Sequence, residues 1–217
     1  MAEQLAQEAI GAALAQEAEL NEPALVRELV SRVPEGSTLV VSSSMPARDV
    51  EWWPRPRKGL RFIANRGVNG IDGVVSTALG VALAGSRRTV ALVGDLAFAY
   101  DVTALLPARE LGAGLDIVVV DNDGGGIFNF LPQAAQQPPE RFERLWATPH
   151  RVDLVQVARC FGADAAEVDD LQALAQRLGD EHRGGVRAHV AKIRRQGNVA
   201  VHQRLHAAVA EALEALA

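Results

Sequence analysis

The sequence has little cysteine, no basic run and no long apolar run. Cys160 is the single cysteine in 217 residues, so the chain can build neither an internal disulfide nor a site of several thiolates. We interpret it as a small buried apolar residue of a protein in a reducing compartment, the cytoplasm. No stretch reaches the roughly 18 uninterrupted apolar residues of a membrane-spanning helix. Residues 1–16 also lack the basic start and apolar core of an export signal, so we expect a protein that is neither exported nor membrane-spanning.

The charges are mixed along the chain and slightly acidic in sum. The 22 lysines and arginines and the 27 aspartates and glutamates give a formal net charge of −5. Because both signs are interspersed, nucleic acid and anionic membrane are poor partners, and small molecules are the expected ligands. Residues 1–20 carry a narrow apolar face, which predicts a linker or an edge helix. Residues 21–217 suit one large domain with a continuous core.

Apolar runs alternate with helical patterns along the chain. The β-branched runs 89–93 and 116–120 are typical of buried parallel strands. Shorter runs at Thr38–Val41, 60–64 and 185–193 predict further strands. The predicted fold is a doubly wound α/β domain, with a mostly parallel sheet of about five to six strands and helices on both faces.

Two helices and one long connection are predicted around the central strands. Small apolar residues predict a buried helix over 74–84, and a second helix is expected over 96–111. Residues 133–149 are polar and contain proline, and a connection of this length suggests a mobile lid. His150 follows the lid, and we interpret this lone loop histidine as a surface residue.

Glycine and an acid or amide lie together at the end of each central strand. Ligands of open α/β sheets bind beyond the carboxyl ends of the strands. Asp95 follows the first strand, and Asn122 lies 27 positions later (122 − 95), directly before a glycine turn. A carboxylate, an amide oxygen and the carbonyl of Gly124 would suit Mg²⁺, which prefers oxygen ligands and shares its coordination with substrate phosphates. The alternative is a pair of ordinary strand-to-helix turns, in which Asp95 only caps the next helix.

The loops after the other strands also carry polar groups. Ser44 and Arg48, four residues apart, could face one pocket with a hydroxyl and a guanidinium, although a serine-rich loop is usually solvated. The glycine-rich loop 65–73 lacks the Gly-Lys-Ser/Thr pattern of a nucleoside triphosphate loop. Ile127, Phe128 and Leu131 follow the glycine turn and could be either plain core or part of the site.

Four segments carry a resemblance to a known family. A Gly-Asp-x followed after about 25 to 30 residues by an asparagine pair or its variant resembles the thiamine diphosphate fingerprint. The chain is similar to the SEPHCHC synthases, thiamine diphosphate enzymes of menaquinone biosynthesis, through SSSMPARDV, ANRGVNGIDGVVSTALG, GDLAFAYDVTALL and VVVDNDGGGIFNFLPQ. The similarity extends from about Leu20 to the C-terminus. Leu96 replaces the second glycine of the generic pattern, as is familiar in this family. Asp121 replaces the first asparagine, and its role stays open.

The resemblance implies a cofactor, a metal and two substrates. The cofactor is thiamine diphosphate with Mg²⁺ or Mn²⁺, and the substrates are 2-oxoglutarate, which is decarboxylated, and isochorismate, which receives the succinyl carbanion. Ile71 is implied as the apolar wedge that bends the cofactor. The implied metal ligands are Asp95, Asn122 and Gly124; the cofactor-binding residues are Gly94, Asp95, Leu96, Asn122, Gly124, Gly125 and Ile127; the substrate-binding residues are Ser44, Arg48, Arg66, Phe128 and Leu131.

The resemblance also implies a partner. These enzymes activate the cofactor with a glutamate from a pyrimidine-binding domain, usually across the interface of a homodimer or homotetramer, and no segment of this chain supplies that domain. We therefore expect this chain alone to be inactive. Three alternatives are open: the diphosphate-binding domain of another thiamine diphosphate-dependent 2-oxo acid decarboxylase, the natural small subunit of a split enzyme, and a non-catalytic binding module.

Overall fold

Six parallel strands form one sheet in the part of the chain that the computed structural model describes, residues 1–65, 70–85, 87–180 and 184–214. The strands are β1 (Thr38–Val41), β2 (Arg61–Ala64), β3 (Thr89–Gly94), β4 (Gly114–Asp121), β5 (Asp164–Val168) and β6 (Gly185–Lys192). Their order across the sheet is β2-β1-β3-β4-β6-β5, and every neighbouring pair is parallel. The predicted doubly wound sheet is confirmed.

Helices cover both faces of the sheet, because its central strands are apolar on both sides. The described helices are α1 (Ala2–Leu14), α2 (Glu22–Arg32), α3 (Met45–Trp52), α4 (Val74–Ala84), α5 (Asp95–Asp101), α6 (Gln133–Gln136), α7 (Pro139–Phe142), α8 (Leu154–Cys160), α9 (Leu171–Gly179) and α10 (Arg195–Glu214). Single turns of 3₁₀ helix cover Val102–Leu105 and Gly126–Phe130, and a π-helical turn covers Glu143–Ala147. One core joins α4, α5 and α8 to the sheet, and a second joins α2 and α9 to the opposite face.

The N-terminal helix packs at the edge of this structure. Ile10 of α1 is buried in a small cluster with Trp53 and with Val201 and Leu205 of α10. Whether residues 1–20 are a unit apart from the domain stays a prediction. None of the helices in the described ranges is long and apolar enough to cross a membrane.

Three local expectations were wrong. The helix predicted over 96–111 ends at Asp101 and continues only as the 3₁₀ turn Val102–Leu105, and Pro107, which has no backbone N–H, follows soon after. β5 was not predicted, because its sequence DAAEV lacks an apolar run and it lies at an edge of the sheet. Cys160 is exposed rather than buried, at the last position of α8.

The strand order reverses between β1 and β3. From β1 the chain moves outward to β2, whereas β3 pairs on the other side of β1 and the chain then continues to β4. Helices on opposite faces therefore diverge beyond the carboxyl ends of β1 and β3, which opens a crevice there. The loops after β1, β3 and β4 all end at this crevice.

A charged network centred on a buried aspartate lies near the amino-terminal ends of β4 and β6, away from this crevice. Asp116 of β4 accepts hydrogen bonds from Arg88 Nε (3.0 Å), Arg187 Nε (2.8 Å) and His189 Nε2 (2.9 Å). His189 Nδ1 accepts from Arg177 Nε (2.8 Å), so its proton is on Nε2. Burial raises the pKa of Asp116, but the hydrogen bonds from His189 and Arg187 and the charge of Arg88 outweigh this and hold the pKa well below its usual range.

We predict that Asp116→Ala lowers the free energy of unfolding by about 3 to 5 kcal/mol at pH 7, because it leaves two largely buried guanidinium groups, on side chains 17% and 13% exposed, without their counter-charge. Urea unfolding followed by circular dichroism would measure this. Asp164→Ala is the control: the Asp164 side chain is 72% exposed and 3.6 Å from Arg177, and exposed ion pairs contribute little.

The effect should depend on pH in one direction. The folded pKa of Asp116 lies below its unfolded value of about 3.9, so its contribution is full above that value and is lost as the pH falls through the folded pKa. The free energies of unfolding of wild type and Asp116→Ala should therefore approach each other below about pH 4. Equal stability of wild type and Asp116→Ala at pH 7 would contradict the structural role of the network.

Candidate functional site

A cavity of about 470 Å³ opens at the crevice between β1 and β3. It collects residues from the loops after β1, β3 and β4, which are far apart in sequence. The predicted site residues that line it are Ser44, Arg48, Ile71, Gly94, Asp95, Leu96, Asn122, Gly124, Gly125, Ile127 and Phe128. Their separate roles stay predictions, but one cavity holds them all.

Two predicted residues are not part of this cavity. Leu131 does not line it: its side chain is 42% exposed, because the chain turns to an extended conformation after the 3₁₀ helix Gly126–Phe130. Its expected contact with substrate stays a prediction. Arg66 lies outside the described residues.

Asp95 joins the ends of two strands. It is the first residue of α5 and is 2% exposed. One carboxylate oxygen accepts from the backbone N–H of Leu96 (2.6 Å), and the other accepts from the backbone N–H of Gly124 (2.7 Å). Burial raises the pKa of Asp95, and these two hydrogen bonds offset part of the effect. The carboxylate is thus held between the loop after β3 and the loop after β4.

The turn that follows Asn122 requires glycine. Gly124 has a φ of +128°, which side-chain-bearing residues rarely adopt, and a Cβ there would overlap the carbonyl oxygen of Ala147. The carbonyl of Gly124, a predicted metal ligand, accepts from the N–H of Gly126 (2.9 Å), which leaves one of its two lone pairs. The turn therefore brings backbone close to both Asp95 and the lid segment.

Asn122 has one satisfied end and one unsatisfied end. Its Nδ2 donates to Glu22 Oε1 (2.8 Å), whereas its Oδ1 is buried and has no hydrogen-bond partner among the described residues. A buried acceptor without a partner costs roughly 1 to 3 kcal/mol. Burial, and then the charge of Asp49, raise the pKa of Glu22 to about 7. The free amide oxygen is what a cation ligand would present.

The charges of the cavity favour a divalent cation. Glu22 and Asp95 are acidic, and Arg48 is the one cationic side chain among the described lining residues. A diphosphate placed here would meet two carboxylates, and a bound Mg²⁺ or Mn²⁺ would offset that repulsion while completing its octahedron with phosphate oxygens. The donor set therefore fits a metal-bound diphosphate, with Asp95 and Asn122 as the residues that would hold the ion.

Two residues near the predicted ligands were missed. Ligand atoms of Asp95, Asp121 and His150 all lie within 4.8 Å of one another. His150 Nδ1 accepts from the backbone N–H of Val152 (2.9 Å), so Nε2 carries the proton and faces Asp95 Oδ2 (3.3 Å) and Asp121 Oδ1 (3.5 Å). Burial raises the pKa of Asp121. His150 is therefore a partner of the acids rather than a surface residue.

The loop after β1 is strained where it meets the cavity. Ser44 has a φ of 75° and directly precedes α3. Such a conformation costs about 1 to 3 kcal/mol in a residue other than glycine and is concentrated at functional sites. Arg48 Nη1 donates to the backbone carbonyl of Ser44 (2.8 Å), so the hydroxyl-bearing residue and the guanidinium lie at the same mouth of the cavity.

A buried ion pair holds the helix that carries this loop. Asp49 Oδ1 accepts from Trp53 Nε1 (3.0 Å) and from His202 Nε2 (2.7 Å). Because His202 Nδ1 also faces a carbonyl, that of Asn198 (2.8 Å), both ring nitrogens donate. Burial lowers the pKa of His202, but the hydrogen bond and charge of Asp49 outweigh it and raise the pKa. The pair links α3 to α10.

The lid segment is helical and tied to the glycine turn. Residues 133–149 contain α6, α7 and the π-helical turn Glu143–Ala147. Gly125 N–H donates to the carbonyl of Ala147 (2.7 Å), and Arg195 bridges Glu143 (2.6 Å) to the carbonyl of Asp123 (2.9 Å). The segment is therefore bonded to the glycine turn after β4, whereas its role as a mobile lid stays a prediction.

Comparison with known proteins defines the class. The chain belongs to the family described as "Thiamine pyrophosphate enzyme, C-terminal TPP binding domain", whose model matches residues 42–190. Thiamine pyrophosphate is thiamine diphosphate, so the predicted cofactor is confirmed, and a cluster of possible metal ligands accompanies it.

The relatives within this class are more specific. The chain is 44% identical over 214 residues to 2-succinyl-5-enolpyruvyl-6-hydroxy-3-cyclohexene-1-carboxylate synthase, or SEPHCHC synthase, of Myxococcus xanthus, covering 98% of this chain and 36% of the relative. It is 40% identical over 213 residues to the enzyme of the same name from Chloroflexus aurantiacus, with the same coverage of 98% and 36%. The predicted resemblance is confirmed, and the chain spans 36% of the length of these relatives.

A solved structure shows the same fold. Benzoylformate decarboxylase from Polynucleobacter necessarius superposes with a TM-score of 0.71 at 20% identity, covering 82% of this chain and 34% of that one. At this identity the likeness concerns the fold alone.

We predict that Gly124→Ala destabilises the chain by at least about 1 to 3 kcal/mol, because alanine would carry the strain of a positive φ and would also meet the carbonyl of Ala147. Thermal and urea unfolding would measure the change. Gly197→Ala is the matched control, since an added Cβ there meets nothing within 4 Å inside α10 and should stabilise by about 0.5 to 1 kcal/mol. A Gly124→Ala protein as stable as wild type would show that the turn is not constrained as described.

Proposed function

We propose that this chain is the diphosphate- and metal-binding domain of an enzyme that decarboxylates 2-oxoglutarate and adds the succinyl group to isochorismate, the SEPHCHC synthase reaction. The observation that carries the proposal is the pairing of the buried Asp95 carboxylate with the unpartnered Asn122 amide oxygen at one cavity. The names of the relatives, which are 44% and 40% identical to this chain over the 214 and 213 aligned residues, support the reaction.

The chain would contribute position and charge. Asp95, Asn122 and the carbonyl of Gly124 would hold Mg²⁺ or Mn²⁺, and Gly94, Leu96, Gly125 and Ile127 would surround the diphosphate. When bound, thiamine diphosphate supplies the electron sink that lets a 2-oxo acid lose carbon dioxide. The half-buried Ile71 is proposed as the apolar support that keeps the cofactor bent.

The mouth of the cavity would recognise the substrates. Both are carboxylates, and the guanidinium fork of Arg48 matches two carboxylate oxygens. Ser44, whose backbone carbonyl already accepts from Arg48, would orient a hydroxyl or carboxylate group beside it. Arg66 is proposed as a second carboxylate-binding residue from the sequence alone. Phe128 lines the same space and would keep water away from the reacting carbons.

Turnover would need more than this chain. A pyrimidine-binding domain, expected in the part of the relatives that this chain does not cover, would supply the glutamate that activates the cofactor. We propose that the complete enzyme is a homodimer or homotetramer in the cytoplasm. The chain alone would be inert towards 2-oxoglutarate.

Titration calorimetry with thiamine diphosphate, with and without Mg²⁺, tests the site. We expect weak binding that requires the metal and is lost in Asp95→Asn, because the amide removes the charge and turns an N–H₂ towards a backbone donor. Asp170→Asn is the control: it makes the same chemical change at the N-cap of α9, where asparagine caps equally well.

The titration is repeated in the presence of the pyrimidine-binding domain of the Myxococcus xanthus relative. Metal-dependent binding in either titration, lost in Asp95→Asn and retained in Asp170→Asn, supports the proposal. Absence of binding in both, or binding that survives Asp95→Asn, contradicts it. Conversion of 2-oxoglutarate by the chain alone would contradict the proposed need for a partner domain.

A further inference from the structure

Glu22 lies beside Asn122 at the wall of the same cavity. It is the first residue of α2 and is 1% exposed. Its Oε1 accepts from Asn122 Nδ2 at 2.8 Å, across 100 residues of sequence. Neither a strand ending nor a glycine marks this residue in the sequence, and the mechanism described above gives it no role.

This contact decides which way the amide of Asn122 points. An amide has a donor end and an acceptor end of similar shape, and only its partners distinguish them. In the structure the amide nitrogen faces Glu22 and donates to it; in its ionised form the carboxylate can only accept, which keeps the amide oxygen facing away from it. The oxygen that faces away is the buried Oδ1 without a partner among the described residues.

The surroundings keep both side chains in place. Asn21 caps α2 by accepting from the N–H of Ala24 (3.0 Å), and Leu25 and Leu29 of the same helix are fully buried. On the other side, a Cβ at Gly126 would lie 2.5 Å from Asn122 Nδ2. The amide nitrogen is therefore enclosed between Glu22 and a glycine, and the amide cannot turn over without losing its acceptor.

We infer that Glu22 is a positioning residue for the metal, one that fixes the Asn122 amide with its oxygen towards the cation. The inference rests on the proposed function, because it needs a cation between Asp95 and Asn122. Groups that orient metal ligands in this way typically change metal affinity by about 10- to 100-fold when they are removed.

Binding of Mn²⁺ to the purified chain at pH 8, followed by the electron paramagnetic resonance signal of the free ion, tests the inference without requiring turnover. Glu22→Gln should bind close to wild type, because the new amide oxygen can accept from Asn122. Glu22→Leu should bind about 10- to 100-fold more weakly, because the Asn122 amide loses its acceptor. Leu174→Ala is the stability control, since it empties a fully buried position of α9 and should leave Mn²⁺ binding unchanged.

A reciprocal exchange separates positioning from a general structural role. Asn122→Asp alone would set two carboxylates against each other and weaken Mn²⁺ binding, although it adds a charged ligand. Combining it with Glu22→Gln should restore binding, because the glutamine amide can donate to the new carboxylate while the other oxygen faces the ion. A merely structural role of Glu22 would not predict that Mn²⁺ binding is restored. The exchange therefore tests the positioning role even if Glu22→Leu does not fold.

The outcomes separate the two claims. If wild type binds Mn²⁺ and Glu22→Leu folds and binds it equally well, or if Asn122→Asp alone binds more tightly than the exchange, the inference is overturned and the proposed function stands. If wild type binds no Mn²⁺ either alone or together with thiamine diphosphate and the pyrimidine-binding domain, the metal site of the proposed function fails and the role of Glu22 fails with it.

Discussion

The carboxylate of Asp95 is the contact on which the site depends. By accepting the N–H groups of Leu96 and Gly124, it joins the end of β3 to the turn after β4. This glycine turn is hydrogen-bonded to the lid segment, through the N–H of Gly125 and the carbonyl of Ala147. A buried carboxylate is costly to desolvate unless its oxygens are hydrogen-bonded, and here both oxygens are. The same geometry that satisfies the carboxylate also fixes the positions of the predicted metal ligands.

Several acids with few cationic partners lie close to the site beyond the carboxyl ends of the strands. Burial raises the pKa values of Asp95, Asp121 and Glu22, with Glu22 reaching about 7. Near the amino-terminal end of β4, Asp116 is equally buried, yet His189, Arg187 and Arg88 hold its pKa low. The contrast is informative. Asp116 is neutralised by the protein itself, whereas a cation bound near Asp95, Asp121 and Glu22 would stabilise their charged forms.

The sequence predicted the sheet and the centre of the site, because both depend on local patterns. Apolar runs identify β3 and β4, and the acid, amide and glycines that follow them identify Asp95, Asn122 and Gly124. Contacts between distant residues leave no such pattern. Glu22 lies 100 residues from Asn122, and His150 lies 55 residues from Asp95. Their contacts form only in the folded protein, where α2 and the end of the lid segment both lie beside the carboxyl ends of β3 and β4.

Local patterns also misled where tertiary packing decided the outcome. The apolar periodicity after Asp95 suggested one helix to residue 111, but the chain turns after Asp101 so that Val102 and Leu105 can enter the core beside α4. β5 forms from the polar run DAAEV because β6 offers it a parallel partner, from Asp164 paired with Arg187 to Val168 paired with Ala191. Neither outcome follows from propensity alone, because each depends on a neighbour that is distant in sequence.

The most direct test of this account is a crystal structure of the chain with Mn²⁺ and thiamine diphosphate, in which the anomalous signal locates the ion. The account predicts one ion between Asp95 and Asn122 Oδ1, at about the 2.1 Å typical of metal–oxygen bonds to Mg²⁺, with the diphosphate on its open side and Glu22 still bonded to the Asn122 amide nitrogen. An ion held instead by Asp121 and His150, or an Asn122 amide turned with its nitrogen towards the ion, would contradict it.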